Sequence, residues 1–206
     1  MRYLFILDYE HLDNGGFLKL LSKNLAALRL DNFMLLHADS AHTERIIQTG
    51  VMRGPARIRS IKELNHRLTA LFADEGVPLI AMNGFQRNTI RLAAAEAAPE
   101  VDAGYLRGLG RQNHVLLSSL VATPDGPQPM PLEPLTAALE QAIGFDHIIA
   151  FDASEDISEI FASAGPSNGS DLLVRPKELK SSHLNINILK LQHTNDKAAF
   201  EKALGL

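Results

Sequence analysis

Apolar positions along this chain follow two alternating rhythms. Short continuous runs of strand length occur at Tyr3–Leu7, Phe33–Leu36, Val77–Met82, His114–Val121 and His147–Phe151, and between them apolar residues return every three or four positions. The stretch from Ser60 to Arg91 shows one whole unit. Ser60 caps a helix with Glu63 three residues on, Ile61, Leu64, Leu68, Leu71 and Phe72 form its stripe, and Gly76 stops it. Val77–Met82 is too continuously apolar for a strand with one wet face, which predicts a place inside a parallel sheet covered by helices on both sides. Asn83-Gly84 then opens a loop at the carboxyl end of that strand, the edge where open α/β sheets bind ligands.

The rest of the chain repeats the theme. Phe17, Leu20, Leu21, Leu25 and Leu28 predict a helix over Phe17–Leu30, and His42–Gln48 a short one. Gly50–Arg59 reads as an irregular basic loop. Thr89–Ala98 has helical spacing up to Pro99, and Val101–Leu109 is a helix weakened by glycines. Thr123-Pro-Asp-Gly-Pro is a hairpin tip, Leu132–Ile143 an amphipathic helix ended by Gly144. Beyond Phe151 the pattern gives a short helix over Asp156–Ala164, a link over Gly165–Ser170, strands near Leu172 and over Ile186–Leu191, and a last helix capped by Thr194 or Asn195. Repeated βα units predict an α/β fold, a three-layer αβα sandwich with a mostly parallel central sheet.

Composition narrows the classes. The 206 residues, 46% hydrophobic and 21% charged, suit one domain over 1–206. With no cysteine there are no disulfides, thiolate metal sites or cysteine nucleophiles, and the cytoplasm is the expected compartment. Tyr3–Leu7 is too short for a signal peptide or membrane span, and a net charge of -4 gives no general attraction to nucleic acid or anionic membrane.

Several polar groups invite chemistry. Gly15-Gly16 after Asn14 has the look of a phosphate nest but lacks the Gly-Lys-Ser/Thr of a P-loop, so a helix entry turn is the plainer reading. His37, Asp39, Ser40 and His42 suggest a metal pair or a Ser/His nucleophile, although a five-residue histidine spacing matches no zinc helix; a polar strand-end loop and helix cap explain them as well. Asp8, Glu10 and His11 beside His37 have the carboxylates for a divalent ion, against a solvated acidic turn; no metal is expected. The basic segment is the better lead. Arg53, Arg57 and Arg59, flanked by Arg45 and Lys62, have no acid between Gly50 and Arg59, and an arginine fork grips carboxylate or phosphate. Asn83, Gly84, Gln86 and Arg87 share the same sheet edge, with Asp8, His37 and Ser40 as the pocket's rim. His66, His114 and His147 sit among apolar positions and read as packing or surface residues.

The segment ELNHRLTALFADEGVPLIAMNGFQRNTIR and the order of elements resemble the amino acid kinase superfamily, nearest to acetylglutamate kinase and more distantly isopentenyl phosphate kinase. Asn65, Asn83-Gly84 and Ile90-Arg91 fall where acetylglutamate kinases have a helix Asn and a Ser-Gly-Lys-Asp-Gly-Gly loop ending in Ile-Arg. A second match runs from His114 through the Pro-Asp-Gly turn to HIIAFDA. The departures lie at the phosphate sites. The family's Lys-Gly-Gly after the first strand is here Asp8-Tyr9-Glu10, and its His-Gly-Gly-Gly is His37-Ala38-Asp39-Ser40. The Asn-Ala-Asp before the Ala-rich helix is Leu132-Glu133-Pro134, with Glu133 at best a shifted stand-in. The nucleotide-binding C-terminal part reads as truncated.

The resemblance therefore implies a catalytically degraded kinase-like protein that binds a small acidic metabolite or a partner protein in a regulatory or assembly role, with no cofactor. Its substrate-binding residues would be Arg53, Arg57, Arg59, Asn83, Gly84 and Arg87. The competing expectation is an active small-molecule kinase using Mg-ATP on a carboxylate or phosphate substrate. Family habit implies a homodimer, and a hetero-complex with a genuine kinase is a further expectation.

Overall fold

The computed structural model describes residues 2–94, 97–152, 186–190, 194 and 197–206. Strand β1 (Tyr3–Leu7) leads through a one-turn α1 (Tyr9–Leu12) into α2 (Gly15–Leu28), and β2 (Phe33–His37) into α3 (His42–Gln48) and α4 (Arg53–Asp74). After β3 (Leu79–Asn83) come β4 (Ile90–Arg91), β5 (Glu100–Val101) and α5 (Ala103–Leu109). Next are β6 (His114–Ser118), β7 (Leu120–Thr123), β8 (Gly126–Pro129) and α6 (Leu132–Ile143), then β9 (His147–Asp152), β10 (Ile186–Lys190) and α7 (Lys197–Ala203).

Six strands form one parallel sheet in the order β10-β9-β1-β2-β6-β3. Its central strands are apolar on both faces because both are covered, so the side chains alternate between two cores. Tyr3, Phe5 and Leu7 pack with Leu18, Leu21 and Leu25 of α2 and Leu64, Leu68 and Phe72 of α4. Leu4 and Ile6 pack with Leu135 and Leu139 of α6 and Leu106 of α5. This is the expected α/β sandwich. A second sheet, β5-β4-β7-β8, borders the second core, with β7 and β8 joined by the expected hairpin at Pro124–Gly126.

Five local expectations are corrected. The basic stretch is not a loop: α4 begins at Arg53, and Ala56 N already donates to Met52 O at 2.9 Å. Gly54-Pro55 looks like a breaker, but proline in a first helical turn loses only an N–H that has no partner there. Ser60 consequently lies buried in mid-helix and caps nothing. Strand β3 is an edge strand covered by α4 on one side, and Ile80 is 37% exposed. The described residues of Thr89–Ala98 form no helix, because Ile90 N donates to Gly84 O (2.7 Å) and Leu92 N to Ala122 O (2.8 Å), drawing the chain into the second sheet. His114–Val121 divides at Ser119, where the chain leaves one sheet for the other.

Helix α2 also opens two residues early, since the Asn14 side chain accepts from Phe17 N at 2.9 Å. The expected elements over Asp156–Ala164, Gly165–Ser170 and near Leu172, and the cap at Asn195, lie outside the described residues.

Candidate functional site

Parallel strands deliver their carboxyl ends to one edge, and the register aligns His37 of β2, Ser118 of β6 and Asn83 of β3 side by side there. Beneath that edge is a buried hydrogen-bond chain. The Asn65 amide of α4 places Oδ1 2.8 Å from His37 Nε2 and donates through Nδ2 to Asn83 Oδ1 (3.0 Å) and Met82 O (3.3 Å). Ser118 Oγ donates to the same Asn83 oxygen at 2.8 Å. Burial pushes the His37 imidazole below its ordinary pKa, which keeps it neutral near pH 7. These side chains brace the strand ends. His37 and Ser40 are both fully buried and do not line the cavity, whereas their neighbours Ala38 and Asp39 do.

The opening itself is a cavity of about 850 Å³ above β1 and β2. One wall is Asp8 and Tyr9; a second is Ala38, Asp39 and Glu44; a third is Arg53, Gly54 and Arg57 of α4; and residues 128–133 close the far side. Ser119 joins two walls, donating its N–H to His37 O (2.8 Å) and accepting from Met130 N (2.9 Å). Helices α4 and α6 both present their amino ends to this space, at Gly54 and at Leu132-Glu133, and neither has a side-chain cap. Unsatisfied first-turn N–H groups and the helix dipole favour an anion at such an end.

Side-chain charge opposes that field. Lining the cavity are the carboxylates of Asp8, Asp39, Glu44 and Glu133 and the guanidiniums of Arg53 and Arg57, with no lysine among the described lining residues. Both arginines are engaged: Arg53 donates to Glu44 Oε1 at 2.8 Å, and Arg57 Nε to Asp39 Oδ2 at 3.1 Å. Burial, then Asp39 and Glu44, push the Tyr9 hydroxyl pKa up. Asp8 caps α1 by accepting from Tyr9 N at 2.6 Å.

The remaining sequence candidates are dispersed. Arg59 bonds Glu63 at 2.7 Å on the outer face of α4, beside a separate groove of about 510 Å³. Arg87 leaves the cavity and stacks over Tyr105, 4.9 Å from the ring centre. Asn83 and Gly84 lie at the same sheet edge but do not line the cavity, and Gly84 is pressed against the Leu120 carbonyl. Gly15-Gly16 is the first turn of α2. His11 packs between Phe17 and Phe151, and among the described residues no three His, Cys, Asp or Glu side chains gather to hold a metal ion. His66 is exposed, while His114 stacks on Phe33 (4.0 Å) and His147 on Tyr3 (5.1 Å). Sequence reasoning did not anticipate Tyr9, Glu44 or residues 128–131 as walls; the serines interrupting the apolar run at Ser118-Ser119 were the visible sign that the chain turns there.

No family model matches this sequence, and no curated protein shows significant sequence similarity to it. Solved structures do resemble it. An isopentenyl phosphate kinase, 12% identical, matches over 100% of this chain and 96% of its own with a TM-score of 0.65. The isopentenyl phosphate kinase of T. acidophilum in a product complex, 11% identical, covers 98% and 96% with a TM-score of 0.61. The fold is amino acid kinase-like. Aspartate kinase from Synechocystis, 12% identical, matches 74% of this chain and 28% of its own at a TM-score of 0.50. At such identities the likeness concerns the fold alone, and nothing in it singles out acetylglutamate kinase.

Proposed function

We propose that this protein is a kinase-fold binding protein that holds a small acidic metabolite in the cavity at the sheet edge without transferring a phosphoryl group. The charge of that cavity supports this reading most. Phosphoryl transfer works by positioning and by cancelling charge on the phosphate oxygens. Where the strand β1 end would need a cation, it carries Asp8, and the two arginines already face carboxylates. A carboxylate about 4 Å from a phosphoryl oxygen costs about 4 kcal/mol at an effective dielectric of about 20, roughly a thousandfold in affinity. A small carboxylic acid such as N-acetylglutamate brings fewer charged oxygens than a triphosphate, so it meets less of that repulsion and gains the α4 and α6 amide ends together with the arginines.

The fold neighbours favour a second reading, an active kinase acting on a carboxylate or phosphate substrate. Calorimetric titration with N-acetylglutamate, paired with an ADP-release assay in Mg-ATP, separates the two. Saturable binding without ADP release, weakened about tenfold by Arg57→Ala, is expected. ADP release that depends on the acid would establish the kinase.

A further inference from the structure

The Asp39 carboxylate is held by a complete set of oxyanion donors. Its Oδ1 accepts the backbone N–H of Ser40 at 2.8 Å and the hydroxyl of Thr43, which is buried; its Oδ2 accepts Arg57 Nε at 3.1 Å. A main-chain amide, a hydroxyl and a guanidinium are what a protein arranges around one end of a bound carboxylate or phosphate. This set stands at the wall of the 850 Å³ cavity, beside the uncapped amino end of α4 at Gly54. Arg57 spends only Nε on Asp39: neither Nη makes a hydrogen bond among the described residues, and the Arg57 side chain is 46% exposed against 12% for Asp39. The guanidinium thus keeps a second pair of donors for something arriving from the cavity.

We propose that Ser40 N–H, Thr43 Oγ1 and Arg57 form an oxyanion subsite occupied in this state by the chain's own Asp39 carboxylate, which a ligand carboxylate or phosphate must displace. This deepens the binding reading above and rests on it. A ligand oxyanion would take the same donors as Asp39 swings out, so Asp39 acts as an intramolecular competitor at a high effective concentration. Such competition would select ligands able to displace Asp39 from a pocket that bears two arginines and two open helix ends.

The test is calorimetric titration with inorganic phosphate of the wild type, Asp39→Asn and Asp39→Asn/Arg57→Gln. Asparagine can still cap the turn through its amide oxygen but carries no charge, so it is the weaker competitor for Ser40 N–H and Thr43 Oγ1 and it releases Arg57. The expected result is affinity in Asp39→Asn at least about tenfold above the wild type, reversed in the double variant. Equal, measurable affinity in wild type and Asp39→Asn would overturn the competition and leave the cavity an anion site. No binding in either, with thermal melts showing both folded, would overturn the competition and the binding reading together. Should Asp39→Asn not fold, Asp39→Ser reads the same quantity, and a folded Asp39→Ser without the gain counts against the subsite.

Discussion

Gly84 leaves no room for a methyl group: a Cβ there would stand 2.7 Å from the Leu120 carbonyl oxygen and 3.1 Å from Ile90 Cδ1. The obstacle is backbone, so one sheet must shift against the other. Gly84→Ala is expected to cost about 1–3 kcal/mol in urea unfolding, with an unchanged dependence on denaturant. Asn65→Ala strips His37 Nε2 and Asn83 Oδ1 of a shared partner in a dry place and should cost about 2 kcal/mol. His37 also sets a pH dependence. Burial lowers its pKa from the ordinary 6.5, so the unfolded chain takes up that proton before the folded one does. Its contribution is complete above about pH 6.5 and is lost as pH falls through the folded value. The urea midpoint should drop between pH 7.5 and 5.5, and less steeply in His37→Gln; burial of His114 acts in the same direction and leaves part of the slope. At this scale Arg53 and Arg57 were legible as anion-seeking residues, but the carboxylates facing them were not. Asp39 precedes Arg57 by eighteen positions and Glu44 precedes Arg53 by nine, and only the packing of α3 on α4 brings them together.

Helix α4 carries the element-scale lesson. Its apolar stripe was plain from Ile61 onward, yet its first two turns, Arg53–Ser60, are amphipathic only in the presence of α3 and β8, so they read as a loop. The cavity exists because those two turns are helical: they carry Arg53, Gly54 and Arg57 and aim the amino end of the helix at the strand ends. The opposite error occurred at Thr89–Ala98, where helical spacing lost to backbone bonds with Gly84 and Ala122. Helix α2 ends on Arg29 in the left-handed conformation, φ 47°, which costs a side-chain-bearing residue about 1 kcal/mol. Arg29→Gly is therefore expected to stabilise the protein by roughly 0.5 kcal/mol, raising its melting temperature by a few degrees at most.

For the whole molecule, continuous apolar strands separated by amphipathic helices were enough to set the sandwich and its parallel sheet, because burial on both faces leaves no other periodicity open. The likeness to kinase structures at 11–12% identity shows how far a layered core tolerates substitution while the shape persists. The site is less constrained by that core. Its charges sit at strand ends and near helix starts, where acids and arginines exchange at little cost to folding, so the same fold can carry carboxylates paired with its arginines at that edge. Calorimetric titration of the full chain with Mg-ATP tests this account most directly. No saturable heat up to millimolar nucleotide is the result it predicts; micromolar affinity for Mg-ATP would contradict it.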